Sequence, residues 1–319
     1  MPDIHTHYKE DIDRLFRGAN RDLAEDLIKI IFGLEEYWPM TLRQIYYRVV
    51  AALLVPNKQA QYRRIGKVMS TLRWEEIVPW SAIEDRTRTT TTKRGLPDVI
   101  EYIHNDLQNF LNPEWYGRCY IQEQENYVEV SIEKDALLPL VESATWMFCT
   151  RVNVTRGQPS ATMMNDMAER FDRAIMNGKN PILLHFGDLD PTGVQIPISI
   201  KNGLYDHHGI DVDVRNVALT PQQCRKYNLP ISFDAAKTGD PNHDRWIKRF
   251  GSQAPTELDA LNPPDLKSLV KTTLEGVYDL SGIGEQQRQE ALDREKLKTM
   301  RSMVMGYMRT AFPQEMRGI

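Results

Sequence analysis

Asp188 and Asp190 stand one residue apart in the segment GDLDPTG. Two carboxylates so close on a turn do not both lie cheaply against a core, because each buried charge needs a partner. The segment directly follows PILLHF, a short apolar run that reads as a buried strand, so the pair projects from a sheet edge. Glu133 ends a second strand pattern, YVEVSI. Hard oxygen ligands at such an edge suit Mg2+, with Mn2+ as a substitute. Magnesium keeps several waters and takes one or two carboxylates together with substrate phosphate. Gly193 shapes the turn and lets backbone N–H groups approach an anion where the next helix starts. Taken alone, DLDPTG also fits an ordinary N-capping turn. Glu133, at the end of a separate strand, favours the metal.

A tyrosine pair in TLRQIYYRVV is the second chemical feature. At about 100° per residue, Leu42, Ile45, Tyr46, Val49 and Leu53 form one apolar stripe. Tyr46 lies within it. Tyr47 is rotated off it, onto the flank shared with Arg43, and is expected to face outward. A phenol with a pKa of about 10 is a weak nucleophile at neutral pH. A nearby guanidinium or metal favours the phenolate, as covalent catalysis requires. Attack on a DNA phosphate would leave a phosphotyrosyl link. A structural or DNA-contacting Tyr47 is the alternative.

Several elements must position these groups. NRDLAEDLIKIIF has helical spacing with Asn20 as N-cap, and Pro39 follows it. Thr41 caps a second helix, LRQIYYRVVAALL, and KQAQYRRIGKVMSTLRW is a third. EEIVPWSAI then reads as a wing, which together suggests a winged helix-turn-helix. Its phosphate-holding residues would be Arg63, Arg64, Lys67 and Arg73, with Arg156 added from the later half. TRTTTTKRGLPD reads as a linker. Beyond Trp115, strands alternate with helices: YVEVSI, the helix ALLPLVESATW, the strand MFCTRVNV and the turn TRGQPS. The helix ATMMNDMAERFDRAIMN, the strand PILLHF, the helix VQIPISIKNGLYDHH and the strand DVDVRNVAL come next. This alternation predicts an α/β fold with a parallel, doubly wound sheet whose site lies past the strand C-termini. Glu133, Gly157 and Asp188 all fall there. A dinucleotide site wants a glycine-rich first turn, and TRGQPS has a single glycine. The expected organisation is a helical winged-helix domain with linker over 1–95, then a metal-binding sheet domain with a C-terminal helical extension over 115–319. TGDPNHDRWIKRFGSQAPTELDALNPPDL reads as irregular, ELDALNPPDL as a turn and then a helix, and EQQRQEALDREKLKTMRSMVMGYMRTAF as a long helix.

Composition sets the outer limits. The 319 residues are 41% hydrophobic with a net charge of -4, enough for one large or two medium domains with real cores. Thr41 to Gly95 carries 11 Lys/Arg against 4 Asp/Glu, a basic segment in an acidic protein, which points to a local polyanion contact. No stretch is apolar for the roughly 18 residues of a membrane helix. The N-terminal residues are charged where a signal peptide would be apolar. Cys119, Cys149 and Cys224 lack paired metal-ligand spacing, so a reduced cytoplasmic setting without a zinc site is expected.

In this order, SIEKDALLPLV, VTRGQPS and LLHFGDLDPTGVQI resemble a Toprim domain. That is the metal-binding fold of topoisomerases, bacterial primases and some nucleases. TLRQIYYRVV ahead of it is similar to the arginine and tyrosine-pair segment of type IIB topoisomerase A subunits and of the related meiotic double-strand-break transesterase. The resemblance spans roughly Thr41 to Leu219. It implies a winged helix ahead of Toprim, Tyr47 as nucleophile with Arg43 beside it, and Glu133, Asp188 and Asp190 as metal-binding acids. Gly157 and Pro159 match the segment between those acids. It further implies a DNA substrate, a nucleoid-associated cytoplasmic homodimer, and sites that join Tyr47 of one subunit to the acids of another. A separate ATPase subunit is implied too, since this chain has no Walker-type glycine loop. Two other readings stay open. One is a Toprim nuclease in which water replaces Tyr47; the other is a non-catalytic DNA-binding subunit.

Overall fold

The computed structural model describes residues 4–84, 99–231, 242–251 and 254–317. The hydroxyl-rich linker TRTTTTKRGLPD lies outside them. Along the chain run α1 (Ile4–Leu15), α2 (Ala19–Phe32), α3 (Leu42–Ala51), α4 (Gln59–Trp74) and α5 (Val99–Asn109). Then follow β1 (Asn126–Ile132), α6 (Leu138–Thr145), β2 (Arg151–Val154), α7 (Ala161–Met176), β3 (Asn180–Phe186), α8 (Ile196–His208) and β4 (Asp213–Ala218). The remainder comprises α9 (Pro221–Lys226), α10 (His243–Phe250), α11 (Pro263–Glu275) and α12 (Leu280–Ala311).

Two compact units result. The first takes residues 1–87, 125–146 and 150–276, so it holds both the N-terminal helices and the sheet. The second takes 88–124, 147–149 and 277–319. Within the second, Arg118 pairs with Asp293 of α12 at 2.6 Å, and Phe148 stacks on Tyr278.

In the first unit, α1 to α4 enclose a core built from Leu27, Ile31, Ile45, Tyr46, Ile65 and Leu72. Thr41 caps α3 in a full capping box with Gln44. α3 stops at Ala51 because Leu53 is left-handed at φ 59°, which leaves that residue exposed rather than on the apolar stripe. EEIVPWSAI builds no wing hairpin. Ile77 and Val78 are buried and fold back to donate to Leu72 O at the end of α4, and Ile83 meets Met40 in an isolated parallel bridge. An apolar run that closes a helix end is not free to pair with itself.

The sheet has the order β2-β1-β3-β4 and every pairing is parallel. The chain leaves β1 toward β2 and then returns past β1 to β3. Right-handed crossovers therefore place α6 and α7 on opposite faces, with a crevice between the C-terminal ends of β1 and β3. α7 and α8 bury Met167, Phe171, Ile196, Ile200 and Leu204 against Leu183. At the centre of β1, Glu129 is fully buried. It accepts from Arg170 at 2.6 and 2.9 Å, from Asn153 at 2.8 Å and from Tyr127 at 2.7 Å. MFCTRVNV is a strand only from Arg151, because Cys149 turns to φ 51° just before it. Part of the supposedly irregular tail forms α10, whereas ELDALNPPDL is a single 3-10 turn leading into α11, as its prolines suggest.

Candidate functional site

The crevice between β1 and β3 gathers the acidic residues. Glu133 N–H donates to Phe186 O, and Arg156 N–H donates to Glu133 O at 3.0 Å, so the TRGQPS turn abuts the end of β1. Gly157 sits there at φ 93°, a conformation that suits glycine. Glu133 Oε2 accepts from Asp188 N–H at 3.1 Å. Asp190 Oδ1 accepts from Gly193 N–H at 2.6 Å, and a Cβ on Gly193 would lie 2.4 Å from Asp188 O. The turn therefore needs glycine at 193 for space. Arg156 itself is exposed and pairs with Asp135.

A late segment completes the site. Leu189 and Thr256 exchange backbone hydrogen bonds at 2.9 and 3.0 Å, which lays residues 254–260 against the aspartate turn. Leu258 N–H then donates to Asp188 Oδ1 at 2.8 Å. Lys134 bridges Asp188 Oδ2 and Glu257 Oε2, both at 2.9 Å. Arg43 pairs with the other oxygen, Glu257 Oε1, and Arg48 donates to Ala260 O. Asp259 is buried, and its Oδ1 has no hydrogen-bond partner among the described residues.

The electrostatics follow from burial. Burial alone would lower the Lys134 ammonium, but Asp259, Asp188 and Glu257 outweigh it and hold it charged. Burial would raise Glu257, yet Lys134 and Arg43 bring it down to about 2. Burial pushes up the carboxyls of Glu133, Asp188 and Asp259, and neighbouring acids add to the push at Glu133 and Asp188. Glu133, Asp188, Glu257 and Asp259 thus share two cations, Lys134 and Arg43. Among the described residues, no three Asp, Glu, His or Cys side chains already converge on one metal position. The donors still fit a divalent cation, because hard oxygens, crowded carboxyls whose charged forms lack a counter-ion and the unpaired Asp259 Oδ1 are what such an ion would satisfy. His185, on β3 just before the turn, is buried against Ser131 and held neutral, its pKa pushed down to about 4.

Tyr47 departs from expectation. It is 0% exposed rather than outward, and it packs edge-on to Tyr46 at 5.4 Å between ring centroids. The helical wheel correctly turns it off the stripe, but the flank it reaches is roofed by residues 257–260. Its hydroxyl faces Glu257 and Arg43 without a well-formed hydrogen bond to either, and the Arg43 guanidinium lies 6.0 Å from its ring centroid. Burial, then Glu257, raises the phenol above its ordinary range, and Arg43 only partly opposes them. Tyr47, Arg43 and the acids are therefore linked within one chain, through Glu257 and Lys134.

The basic residues divide. Arg63 and Lys67 are exposed on α4, in line with Ser70 and Trp74. Arg64 is engaged with Asn20 and Ala19 O at the start of α2. Arg73 donates to Trp80 O and Ile83 O and lies 4.3 Å over the Trp80 ring. Sequence reasoning missed Lys134, His185, Glu257 and Asp259. The signal was present in ELDA, whose two acids repeat the one-residue spacing of Asp188 and Asp190. A separate concavity, lined by Asn126, Asn180, Lys201, Asp211 and Arg215, lies at the opposite, N-terminal ends of the strands.

Neither the protein-family models nor the curated proteins searched contain a match to this chain.

Proposed function

We propose that this chain is a magnesium-dependent DNA strand-breaking protein, related to the Toprim and tyrosine-pair proteins that its segments resemble. Tyr47 is its nucleophile. The observation that carries this reading is the meeting, in one unit, of Tyr47 and Arg43 with the carboxylates at the ends of β1 and β3. Tyr46 is as fully buried and senses the same two groups, but it spends its hydroxyl on Asn57 Oδ1 at 2.7 Å, whereas the Tyr47 hydroxyl has no hydrogen-bond partner among the described residues.

The chemistry needs the Tyr47 phenol to lose its proton as its oxygen attacks phosphorus. One O–P bond forms, one P–O bond to deoxyribose breaks, and the departing hydroxyl takes up a proton. Uncovering Tyr47 removes the burial and the Glu257 carboxylate that oppose ionisation, and leaves the guanidinium of Arg43, which favours it. Glu133, Asp188 and Asp190 would hold the magnesium, which when bound supplies charge stabilisation to the phosphoryl oxygens. Arg63 and Lys67 contact the DNA backbone. A double-strand cut takes two such sites, hence a homodimer, with a separate ATPase subunit as a further partner.

Supercoiled DNA incubated with the protein and magnesium, then analysed under denaturing conditions, tests this. The wild type should yield a covalent protein–DNA adduct that both Tyr47→Phe and Asp188→Asn abolish. An adduct that survives Tyr47→Phe refutes the nucleophile. The complete burial of Tyr47 favours a second reading, hydrolysis by water at the same acids. That reading yields free 5′-phosphate ends, no adduct, and activity that persists in Tyr47→Phe.

A further inference from the structure

We infer that Arg43 and Lys134 form a phosphodiester-binding subsite beside Tyr47, and that Glu257 fills it in the resting chain as an internal substitute for the DNA phosphate. This rests on the strand-breaking reading above and adds to it both the phosphate ligands and the means of control.

Glu257 presents two equivalent oxygens and one negative charge. One oxygen meets the Arg43 guanidinium and the other the Lys134 ammonium at 2.9 Å. The two non-bridging oxygens of a phosphodiester offer the same charge and the same pair of acceptors, which guanidinium and ammonium groups bind as charge-assisted hydrogen bonds. The Tyr47 hydroxyl faces this carboxylate, so an anion in its place stands before the nucleophile. Lys134 also reaches Asp188 at 2.9 Å, so the same anion stands next to the acidic group. Exchange of carboxylate for phosphodiester conserves charge: one anion leaves as another enters, and both cations stay paired. Glu257 spends both oxygens on those cations, unlike the acids at the strand ends.

The segment that carries Glu257 is held down as one piece and is buried along residues 255–261. It is a short strap held by the Leu189–Thr256 bridge, by Leu258 N–H on Asp188 and by Arg48 on Ala260 O. Under it Tyr47 has no exposed surface, and a nucleophile for DNA must acquire some. Glu257 and its strap therefore hold the tyrosine covered until a phosphate competes for Arg43 and Lys134.

Calorimetric binding of a dithymidine phosphodiester tests the subsite without any cleavage chemistry. Glu257→Gln keeps the shape and removes the competing charge. It should bind the dinucleotide about tenfold more tightly than the wild type, the scale of one displaced charge-assisted contact. Adding Lys134→Met to it should cancel the gain. Equal or weaker binding by a folded Glu257→Gln protein overturns the inference. In the wild type, hydrogen exchange of residues 254–260 should quicken as inorganic phosphate is raised and the strap is displaced. Unchanged exchange at high phosphate overturns it independently of any variant. Loss of the adduct with these binding results intact would instead count against the strand-breaking reading alone.

Discussion

Replacing Arg170 by methionine should destabilise the sheet unit severely, and the size follows from the contacts of Glu129. That carboxylate has no exposed surface and accepts four hydrogen bonds, two of them from Arg170. Methionine roughly preserves the volume of the arginine stem but removes the only cation paired with Glu129 among the described residues. Tyr127 and Asn153 remain as neutral donors, and they do not balance a buried charge. Breaking one side of a buried ion pair costs about 3–5 kcal/mol, against a typical domain stability of about 5–15 kcal/mol. Equilibrium unfolding in urea should therefore show a lower midpoint with an unchanged slope, and the melting temperature should fall by roughly 10 °C. Adding Glu129→Gln should recover at least half of the loss, because the uncharged amide can accept from Asn153 through its oxygen and donate to the Tyr127 hydroxyl through its NH2. A loss below about 1 kcal/mol, the scale of an exposed pair, would refute the reasoning. So would a double variant no better than Arg170→Met.

Two other outcomes follow from the site. Because burial lowers the His185 pKa to about 4, the unfolded chain binds the extra proton first as pH falls from about 6.5. Wild-type stability should decline from that cause between those values. In His185→Gln, urea midpoints measured at pH 7 and pH 4.5 should differ by less than in the wild type, and an equal difference would refute the assignment. Replacing both Arg63 and Lys67 by alanine should weaken DNA binding across sequences. It should also flatten the dependence of log affinity on log salt by about 1.8, two phosphate contacts at about 0.9 each. An unchanged slope would remove α4 from the DNA contact surface.

Local features were legible because local forces decide them. Thr41 reads as the cap of a helix, and it caps α3, with Gln44 completing the box. Four strand patterns become four strands in parallel order, since strands that alternate with helices are joined by crossovers that leave them parallel. Glu133, Gly157 and Asp188 meet at strand ends because parallel sheets bring such ends together. The misreadings share one cause, which is partners far along the chain or outside the pattern's reach. Tyr47 is off its helix's apolar stripe yet buried, because the covering residues lie some two hundred positions later. EEIVPWSAI has the apolar content of a hairpin, but the end of α4 takes up Ile77 and Val78 first. Glu257 and Asp259 carry no strand or helix pattern around them, so nothing local marks them as part of the site.

The strap also orders events in time. Arg43 and Glu257 are separated by 214 positions, and a growing chain presents its N-terminal helices long before residue 257 has been synthesised. The cover over Tyr47 is thus the last piece of the centre to be made and closes the longest loop in it, a step that contributes late and slowly to folding. During synthesis the tyrosine has no carboxylate above it. On the proposed reading of Tyr47 as nucleophile, the chain acquires its guard only when translation has passed through nearly the whole of the sheet unit.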